Sequence, residues 1–260
     1  MTDFKSKYGP WALVAGASEG LGAAFAKVLA EKGINLILIA RTQSKLETLA
    51  EHIKSLHSIE VNIHSADLAD FNSIKSIRSQ MPKSIGLLVY NAAYSPIGYF
   101  ENIEEENLEQ IVEVNIKTPL LLTKLISKEM IKRRKGGIVL MSSLAGTQGS
   151  PKIATYAASK AFNAIFAEGL WNELKKHNID VLASCAGAIS TPGYKSAQNT
   201  KDAPGTLSPT EVATATLNAL GKTPTTIPGF TNKLAHFFMN RLIPRKWAIS
   251  IMDKNTKDLS

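Results

Sequence analysis

Four polar residues have the types and spacing needed to move a proton. Tyr156 and Lys160 lie four residues apart, so a helix places both side chains on one face. A phenol ionises near pKa 10, and we expect the Lys160 ammonium to lower the pKa of Tyr156 by stabilising the phenolate. Ser143 can hydrogen-bond a substrate oxygen, and Asn115 can hold a water molecule that links Lys160 to solvent. A Tyr and a Lys at this spacing are more often ordinary helix surface, so the prediction depends on the combination.

A glycine-rich turn upstream suits a phosphate. Gly16, Gly20 and Gly22 lie in the stretch AGASEGLG, directly after an apolar run and before a predicted helix. Glycine permits positive φ and removes the Cβ that would collide with a pyrophosphate, and the N–H groups of a helix N-terminus attract the anion. The alternative is an ordinary strand–helix turn.

Arg41 is the residue that indicates which dinucleotide the glycine-rich turn would bind. It lies nineteen residues beyond Gly22, at the end of the second predicted strand. Sites that prefer NAD place an acid near this position for the ribose 2′-hydroxyl, whereas an arginine can bind a 2′-phosphate. The sequence therefore predicts NADP(H), unless Arg41 merely opens the next helix on the surface.

Two further strand ends carry candidate ligand contacts. Asp67 and Leu68 follow the third predicted strand, and Asn91 and Ala92 follow the fourth. Ligands gather at the carboxyl ends of strands in doubly wound folds. Asp67 can accept a hydrogen bond from an adenine amino group or cap the helix that begins near Asp70, and the residues alone leave both open.

The elements that must position these residues alternate strand and helix. This order predicts an α/β fold: one Rossmann-type domain over residues 1–260, with a doubly wound parallel sheet of six to seven strands and helices on both faces. The predicted strands are Trp11–Ala15, Asn35–Ala40, Val61–His64, Leu87–Tyr90, Ile138–Met141 and Asp180–Ser184. The predicted helices are Leu21–Lys32, Ser44–His57, Phe71–Gln80, Glu104–Arg134, Tyr156–Lys176 and Pro209–Leu220, the last capped by Ser208.

The last third of the chain predicts a substrate lid and a tail. Residues 188–208 are expected to form the lid, because Thr191–Pro209 is rich in Pro, Gly, Ser and Thr and reads as a long loop. Residues 229–255 form an amphipathic tail that is broken at Pro244. We expect the tail to pack on the domain or on a second subunit, with membrane association around Phe237–Ile251 as the less favoured alternative.

Composition excludes several classes of function. The single cysteine, Cys185, cannot form an intramolecular disulfide, and no Cys/His cluster has metal-ligand spacing. No stretch is apolar enough to span a membrane, and the chain is predicted to be cytoplasmic. The net charge of +8 invites a nucleic acid, yet residues from Gly221 onward carry +5 of it, and the dense run Lys132–Lys135 suits a solvated helix end. No nucleic-acid partner is therefore expected.

In these residues the chain resembles the short-chain dehydrogenase/reductase family from about Trp11 to Thr191. The family's glycine motif corresponds to Ala15–Gly22, its Asn-Ala-Gly motif to Asn91–Ala93, and its catalytic tetrad to Asn115, Ser143, Tyr156 and Lys160. The resemblance implies that Lys160 also bonds the nicotinamide ribose, that Thr191 contacts the carboxamide or a phosphate, and that Asp67 binds adenine. It further implies a homodimer or homotetramer joined by the two long helices. The implied cofactor contacts are Gly16, Ser18, Gly20, Leu21, Gly22, Arg41, Asp67, Leu68, Asn91, Ala92, Tyr156, Lys160, Gly187, Ile189 and Thr191.

Departures from the family pattern affect loop detail. Ala15 replaces the usual Thr, so the hydroxyl that ties the glycine turn to the loop after the fourth strand is expected to be missing. Tyr90 and Ala93 stand where Asn and Gly are usual, and Ala186 replaces a Pro.

These observations lead to a predicted activity. It is the reversible NADP(H)-dependent reduction of a carbonyl to an alcohol, in which Tyr156 is the general acid/base and Ser143 polarises the oxygen. A moderately large apolar substrate is expected, such as a ketone, a 3-ketoacyl compound or a steroid-like compound. The alternative is a catalytically silent NADP(H)-binding sensor or scaffold.

Overall fold

A computed structural model of the chain describes residues 4–196, 203–257 and 259. A parallel sheet of seven strands forms its centre, in the order β3-β2-β1-β4-β5-β6-β7. The predicted doubly wound sheet is therefore confirmed. The strands are β1 (Trp11–Ala15), β2 (Asn35–Ala40), β3 (Val61–Ser65), β4 (Ile85–Tyr90), β5 (Gly136–Ser143), β6 (Ile179–Ala186) and β7 (Thr225–Thr226).

Helices cover both faces of this sheet. They are α1 (Phe4–Tyr8), α2 (Gly20–Glu31), α3 (Gln43–Leu56), α4 (Phe71–Ile77), α5 (Glu105–Val112), α6 (Thr118–Arg133), α7 (Ala154–Lys175), α8 (Pro192–Ser196), α9 (Pro209–Ala219), α10 (Phe230–Phe237) and α11 (Arg245–Thr256). Two apolar clusters, one on each side of the sheet, form the core. Every residue of β1 and β4 is buried, as expected for strands covered on both faces. No helix within the described ranges is both long and apolar enough to cross a membrane.

The sequence predicted most of these elements, and two predictions need correction. The single helix expected over Glu104–Arg134 is interrupted by a π-helical turn at Glu113–Lys117. Part of the expected lid loop forms α8, and residues 197–202 of the lid lie outside the described residues. The helix after the lid begins where expected, because Ser208 and Glu211 form a reciprocal capping box.

The π-helical turn has a local cause. Proline lacks an N–H, so Pro119 cannot donate to the carbonyl of Asn115 four residues earlier. The freed carbonyl instead accepts a hydrogen bond from the Asn163 side chain of α7, at 3.1 Å. Tyr90 of β4 donates its hydroxyl to the carbonyl of Val114, which fixes the turn from the sheet side. Single π turns of this kind are frequent at functional sites.

The strand order reverses beside β1, whose neighbours are β2 and β4. Connections lead away from this point to opposite faces, which leaves a crevice at the carboxyl ends of the strands. The last residues of β1 and β4, Ala15 and Tyr90, pair with each other, and so do Ser143 of β5 and Ala186 of β6. The loops that follow these four strands therefore meet along one edge.

Candidate active site and cofactor crevice

A cavity of about 650 Å³ opens along this edge. Its volume falls in the range of small-molecule sites. Most residues singled out in the sequence line it: Gly16, Ser18, Gly20, Leu21, Arg41, Asp67, Leu68, Asn91, Ala92, Ser143, Tyr156, Lys160, Gly187, Ile189 and Thr191. Gly22 and Asn115 are not among the lining residues. The cofactor contact expected of Gly22 and the water-holding role expected of Asn115 stay predictions.

Ser143, Tyr156 and Lys160 converge in the part of the cavity between β5 and α7. Tyr156 shares a hydrogen bond with the Ser143 side chain. The Lys160 ammonium lies 5.5 Å from the centre of the Tyr156 ring and donates to the carbonyl of Met141 at 3.0 Å. Because α7 packs along β5 and β6, these side chains are held by the core. The structure thus brings the three residues together, and their catalytic roles stay predictions.

Burial changes the acidity of this group in a direction that differs from our expectation. Lys160 is 3% exposed, and desolvation lowers the pKa of its ammonium to about 8. Burial also raises the pKa of Tyr156, and the hydrogen bond from Ser143 only partly opposes this rise. In the protein alone the pKa of Tyr156 is therefore raised rather than lowered. The effect of Lys160 on the phenolate beside a bound cofactor stays a prediction.

Asn115 supports the site from within the π-helical turn. It is fully buried, and its amide donates to the carbonyl of Tyr94 at 2.8 Å and to the Ser159 hydroxyl at 2.9 Å. Its side-chain oxygen accepts from the Tyr94 N–H at 2.7 Å. Asn115 thus ties α7 to the loop after β4. The predicted water that links Lys160 to solvent stays a prediction.

The glycine turn packs so closely against neighbouring backbone that it leaves no room for side chains. Gly16 and Gly20 have φ values of 81° and 54°, which other residues adopt only with strain. A Cβ on Gly16 would lie 2.7 Å from the backbone of Ala92, and one on Gly22 would lie 1.9 Å from the Gly16 carbonyl. Glu19, at the N-cap of α2, makes no side-chain capping bond. The first N–H groups of α2 therefore suit a phosphate, and the cavity fits a dinucleotide.

Asn91 and its neighbour supply the tie that a hydroxyl at position 15 would have made. Its side-chain amide donates to the Gly16 carbonyl at 2.9 Å, and the N–H groups of Asn91 and Ala92 both donate to the carbonyl of Ala15 at 3.0 Å. The glycine turn is thus tied to the loop after β4 without a hydroxyl at position 15.

The other end of the cavity is open and charged. Arg41 is exposed at the cavity rim, and no hydrogen bond or ion pair engages its guanidinium among the residues that the structure describes. Beside it, Lys45 and Glu19 form an exposed ion pair of 2.5 Å, and both line the cavity. We did not single out either residue from the sequence. Arg41 lies just before α3 and Lys45 in its first turn, and this second cation close in sequence is the signal that could have found it.

Asp67 lines the cavity close to this end. Its carboxylate accepts from the N–H of Ala69 at 2.9 Å. The N-cap of α4 is Asp70, whose carboxylate accepts from the N–H groups of Asn72 and Ser73. The alternative that Asp67 caps this helix is therefore wrong, while its contact with adenine stays a prediction. No group of three potential metal ligands occurs in the described part of the chain.

A family model for short chain dehydrogenases matches residues 10–202. The chain belongs to the short-chain dehydrogenase family. A very-long-chain 3-oxoacyl-CoA reductase of Phaeosphaeria nodorum is 31% identical over 95% of this chain and 76% of its own length. An inactive hydroxysteroid dehydrogenase-like protein 1 of Homo sapiens is 36% identical over 69% of this chain and 56% of its own.

Solved structures of short-chain dehydrogenases share the fold. One from a study of 7beta-hydroxysteroid dehydrogenase stereoselectivity superposes with a TM-score of 0.90 and 26% identity, covering 96% of this chain and 99% of that one. A short-chain dehydrogenase of Sphingobium yanoikuyae in complex with NADPH gives a TM-score of 0.77 and 27% identity, covering 84% and 87%. The chain is thus an oxidoreductase of this family by sequence and by architecture.

Proposed function

We propose that the protein reduces the ketone of a large apolar substrate with NADPH and that a 3-oxoacyl thioester is the first substrate class to test. The observation that carries the proposal is the convergence of Ser143, Tyr156 and Lys160 at one end of a crevice that has Arg41 at the other. The family membership makes redox chemistry at a carbonyl the expected reaction.

The residues of the chain divide the work of this reaction. When bound, the reduced nicotinamide supplies the hydride that the carbonyl carbon receives. Tyr156 donates its phenolic proton to the carbonyl oxygen, so that the ketone becomes an alcohol. Ser143 orients that oxygen by a hydrogen bond, and Lys160, with a pKa of about 8, returns a proton to Tyr156. Asn115 keeps α7 in place during the exchange.

Three observations support NADP(H) over NAD(H). At the outer end of the cavity Arg41 presents a guanidinium without a partner among the described residues, and Lys45 adds a second cation in the first turn of α3. No acid stands in β2 to accept from a free 2′-hydroxyl. The similar short-chain dehydrogenase of Sphingobium yanoikuyae was solved with NADPH.

The substrate class is supported by likeness alone. The curated relative from Phaeosphaeria nodorum is named for 3-oxoacyl-CoA reduction, and the structure with the highest similarity score given above is named for a hydroxysteroid. Both names describe a carbonyl or alcohol on a large apolar body. Both similar proteins therefore favour an apolar ketone as the substrate. They differ in whether its apolar part is an acyl chain or a ring system.

A substrate panel tests the proposal. Purified protein is mixed with NADPH or NADH and with 3-oxoacyl-CoA thioesters of increasing chain length, ketosteroids and small ketones, and nucleotide oxidation is followed by absorbance. We expect turnover with NADPH that rises with the apolar size of the substrate. Small ketones alone as substrates, or preference for NADH, would contradict the proposal.

The silent alternative has one observation in its favour, since the human relative is named inactive. In this alternative NADPH binds to the protein, yet no compound of the panel is reduced. A fluorescence titration with NADPH, run together with the substrate panel, distinguishes the silent protein from the reductase. The silent protein would bind NADPH without oxidising it.

We also infer that copies of the chain associate through α6 and α7. Val112, Leu120 and Ile165 are exposed large apolar residues on or next to these helices. The two helices carry exposed charges of both signs, with Lys124 and Lys128 on α6 and Glu168 and Glu173 on α7. Analytical ultracentrifugation with Ile165→Glu should shift the protein toward the monomer.

A further inference from the structure

The C-terminal tail carries a face of large apolar side chains that the rest of the chain leaves uncovered. Phe230 is 81% exposed and Trp247 is 68% exposed, which is unusual for aromatic residues of an ordered helix. We call this surface the tail face, and its members are Phe230, Leu234, Phe237, Phe238, Leu242 and Trp247. These side chains do not pack against their own domain, and the alternative that a second subunit covers them stays a prediction.

The tail face is fixed in position, because the opposite side of the tail is anchored. Asn232 of α10 is buried, and its amide donates to the carbonyls of Gly205 and Pro228, each at 3.1 Å. Asn240 and Arg245 both donate to Thr147, in the loop that follows Ser143. Exposed apolar side chains that are clustered in one anchored segment mark a candidate interaction site.

The charge around the tail face decides which partner fits. From Phe230 to Lys257 the sequence has six Lys or Arg residues and one acid, Asp253. Lys233, Arg241, Lys246 and Lys254 are exposed next to the apolar side chains. A second copy of the chain on this face would bring cations against cations, whereas α6 and α7 offer mixed charges for such a contact. An anionic surface supplies the missing countercharge.

We propose that the tail face is a docking surface for an anionic lipid bilayer. Phe and Trp side chains partition into the boundary between headgroups and acyl chains, while Lys and Arg on the same helices contact acidic headgroups. The loop with Thr147 follows Ser143 directly, so docking would place the lipid beside the substrate end of the crevice. The proposal does not depend on the proposed activity, and its test has no enzymatic readout.

Vesicle sedimentation tests the docking surface with the full chain. The vesicles are phosphatidylcholine alone, or phosphatidylcholine with about a third phosphatidylserine. We expect binding to the anionic vesicles that weakens as salt is raised. Phe230→Ser combined with Trp247→Ser should lower the partition coefficient by about tenfold or more, because two aromatic side chains leave the interface. Lys233→Glu combined with Lys246→Glu should reduce binding to the anionic vesicles by a similar factor.

Leu56→Ser provides the matched control. Leu56 is 63% exposed, close to the 68% of Trp247, but it lies on α3. Its variant should bind vesicles like the unmodified protein. The proposal is overturned if the unmodified protein stays in the supernatant, or if the Phe230→Ser/Trp247→Ser variant still sediments with anionic vesicles. Ultracentrifugation without lipid that shows self-association lost in this variant, together with no vesicle binding, would assign the tail face to a second copy.

Discussion

The two ends of the crevice differ in how far their charged and titratable side chains are buried. At the inner end, Tyr156 and Lys160 are enclosed by β5 and α7, and burial moves both of their pKa values. At the outer end, the side chains of Arg41, Lys45 and Glu19 are exposed to solvent. Charges in a low-dielectric interior interact strongly and cannot be replaced by solvent, whereas exposed charges are screened. Substitutions at the inner end should therefore remove most of the activity. Substitutions at the outer end should change the affinity for the nucleotide by smaller factors.

The largest effect is expected for Tyr156→Phe. This change removes the only phenolic proton next to Ser143 in the described part of the crevice and leaves the ring and its packing in place. Since general acid catalysis contributes about 10²- to 10⁴-fold, kcat should fall by that factor. Stopped-flow or steady-state NADPH oxidation measures the loss, and fluorescence titration should show unchanged NADPH affinity. Normal turnover in this variant would remove Tyr156 as the acid.

Lys160→Met should lose activity and gain stability. The pKa of Lys160 in the folded protein is about 8, against 10.5 for the free side chain, so the unfolded chain binds the proton more tightly. Below pH 8 the folded state therefore carries the full cost of a buried ammonium, and stability rises with pH from about 8 to 10.5. At 1.36 kcal/mol per pKa unit, this cost is at most about 3 kcal/mol.

Urea unfolding of the Lys160→Met variant checks this prediction. At pH 7 its free energy of unfolding should exceed that of the unmodified protein by about 1–3 kcal/mol, and the difference should shrink by pH 9.5. The loss of the hydrogen bond to the Met141 carbonyl sets the lower figure. Lys124→Met, at an exposed lysine of α6, should leave stability unchanged at both pH values. A variant less stable than the parent at pH 7 would show that Lys160 is not a costly charge.

An intermediate effect is expected for Arg41→Ala. Hydrogen bonds to a charged group contribute about 1.5–3 kcal/mol, so the Kd for NADPH should rise about 10- to 100-fold. NADH has no 2′-phosphate, and its Kd should change by about twofold at most. Isothermal titration with both nucleotides measures the difference, with Lys54→Ala at an exposed lysine of α3 as the control. Equal losses for the two nucleotides would refute a 2′-phosphate contact.

The same contrast explains which features could be predicted from the sequence. β1 and β2 match their predicted bounds, because continuous apolar runs between turn residues leave few alternatives. Ser143, Tyr156 and Lys160 were predictable because Ser143 ends a strand, and Tyr156 and Lys160 share one face of the next long helix. Their pKa values were not predictable, since the Tyr156 shift depends on how deeply the ring is buried, which no spacing reveals.

The remaining errors concern features that the periodic pattern does not encode. The π-helical turn at Glu113–Lys117 depends on Asn163, whose side chain reaches the Asn115 carbonyl from another helix. The tail reads as amphipathic in the sequence, and the sequence could not tell that its apolar face points away from the core. Periodicity shows that a helix has an apolar side, but it does not show what covers that side.

The smallest effect is expected for Glu19→Gln, and it probes the outer end directly. Glu19 places a negative charge at the mouth of the glycine turn and holds Lys45 at 2.5 Å, with both side chains about half exposed (47% and 51%). Removing that charge relieves repulsion of a bound phosphate and frees the Lys45 ammonium. Because exposed ion pairs contribute about 0–1 kcal/mol, the Kd for NADPH should fall only about two- to fivefold and stability should change by less than about 0.5 kcal/mol. The gain in NADPH affinity should shrink as the salt concentration is raised. It should also exceed the gain in NADH affinity if Lys45 reaches the 2′-phosphate. Titrations at low and high salt, with Glu47→Gln on α3 as the control, decide this. A gain as large as the loss in Arg41→Ala would mean that the outer end is not screened, and the contrast between the two ends would fail.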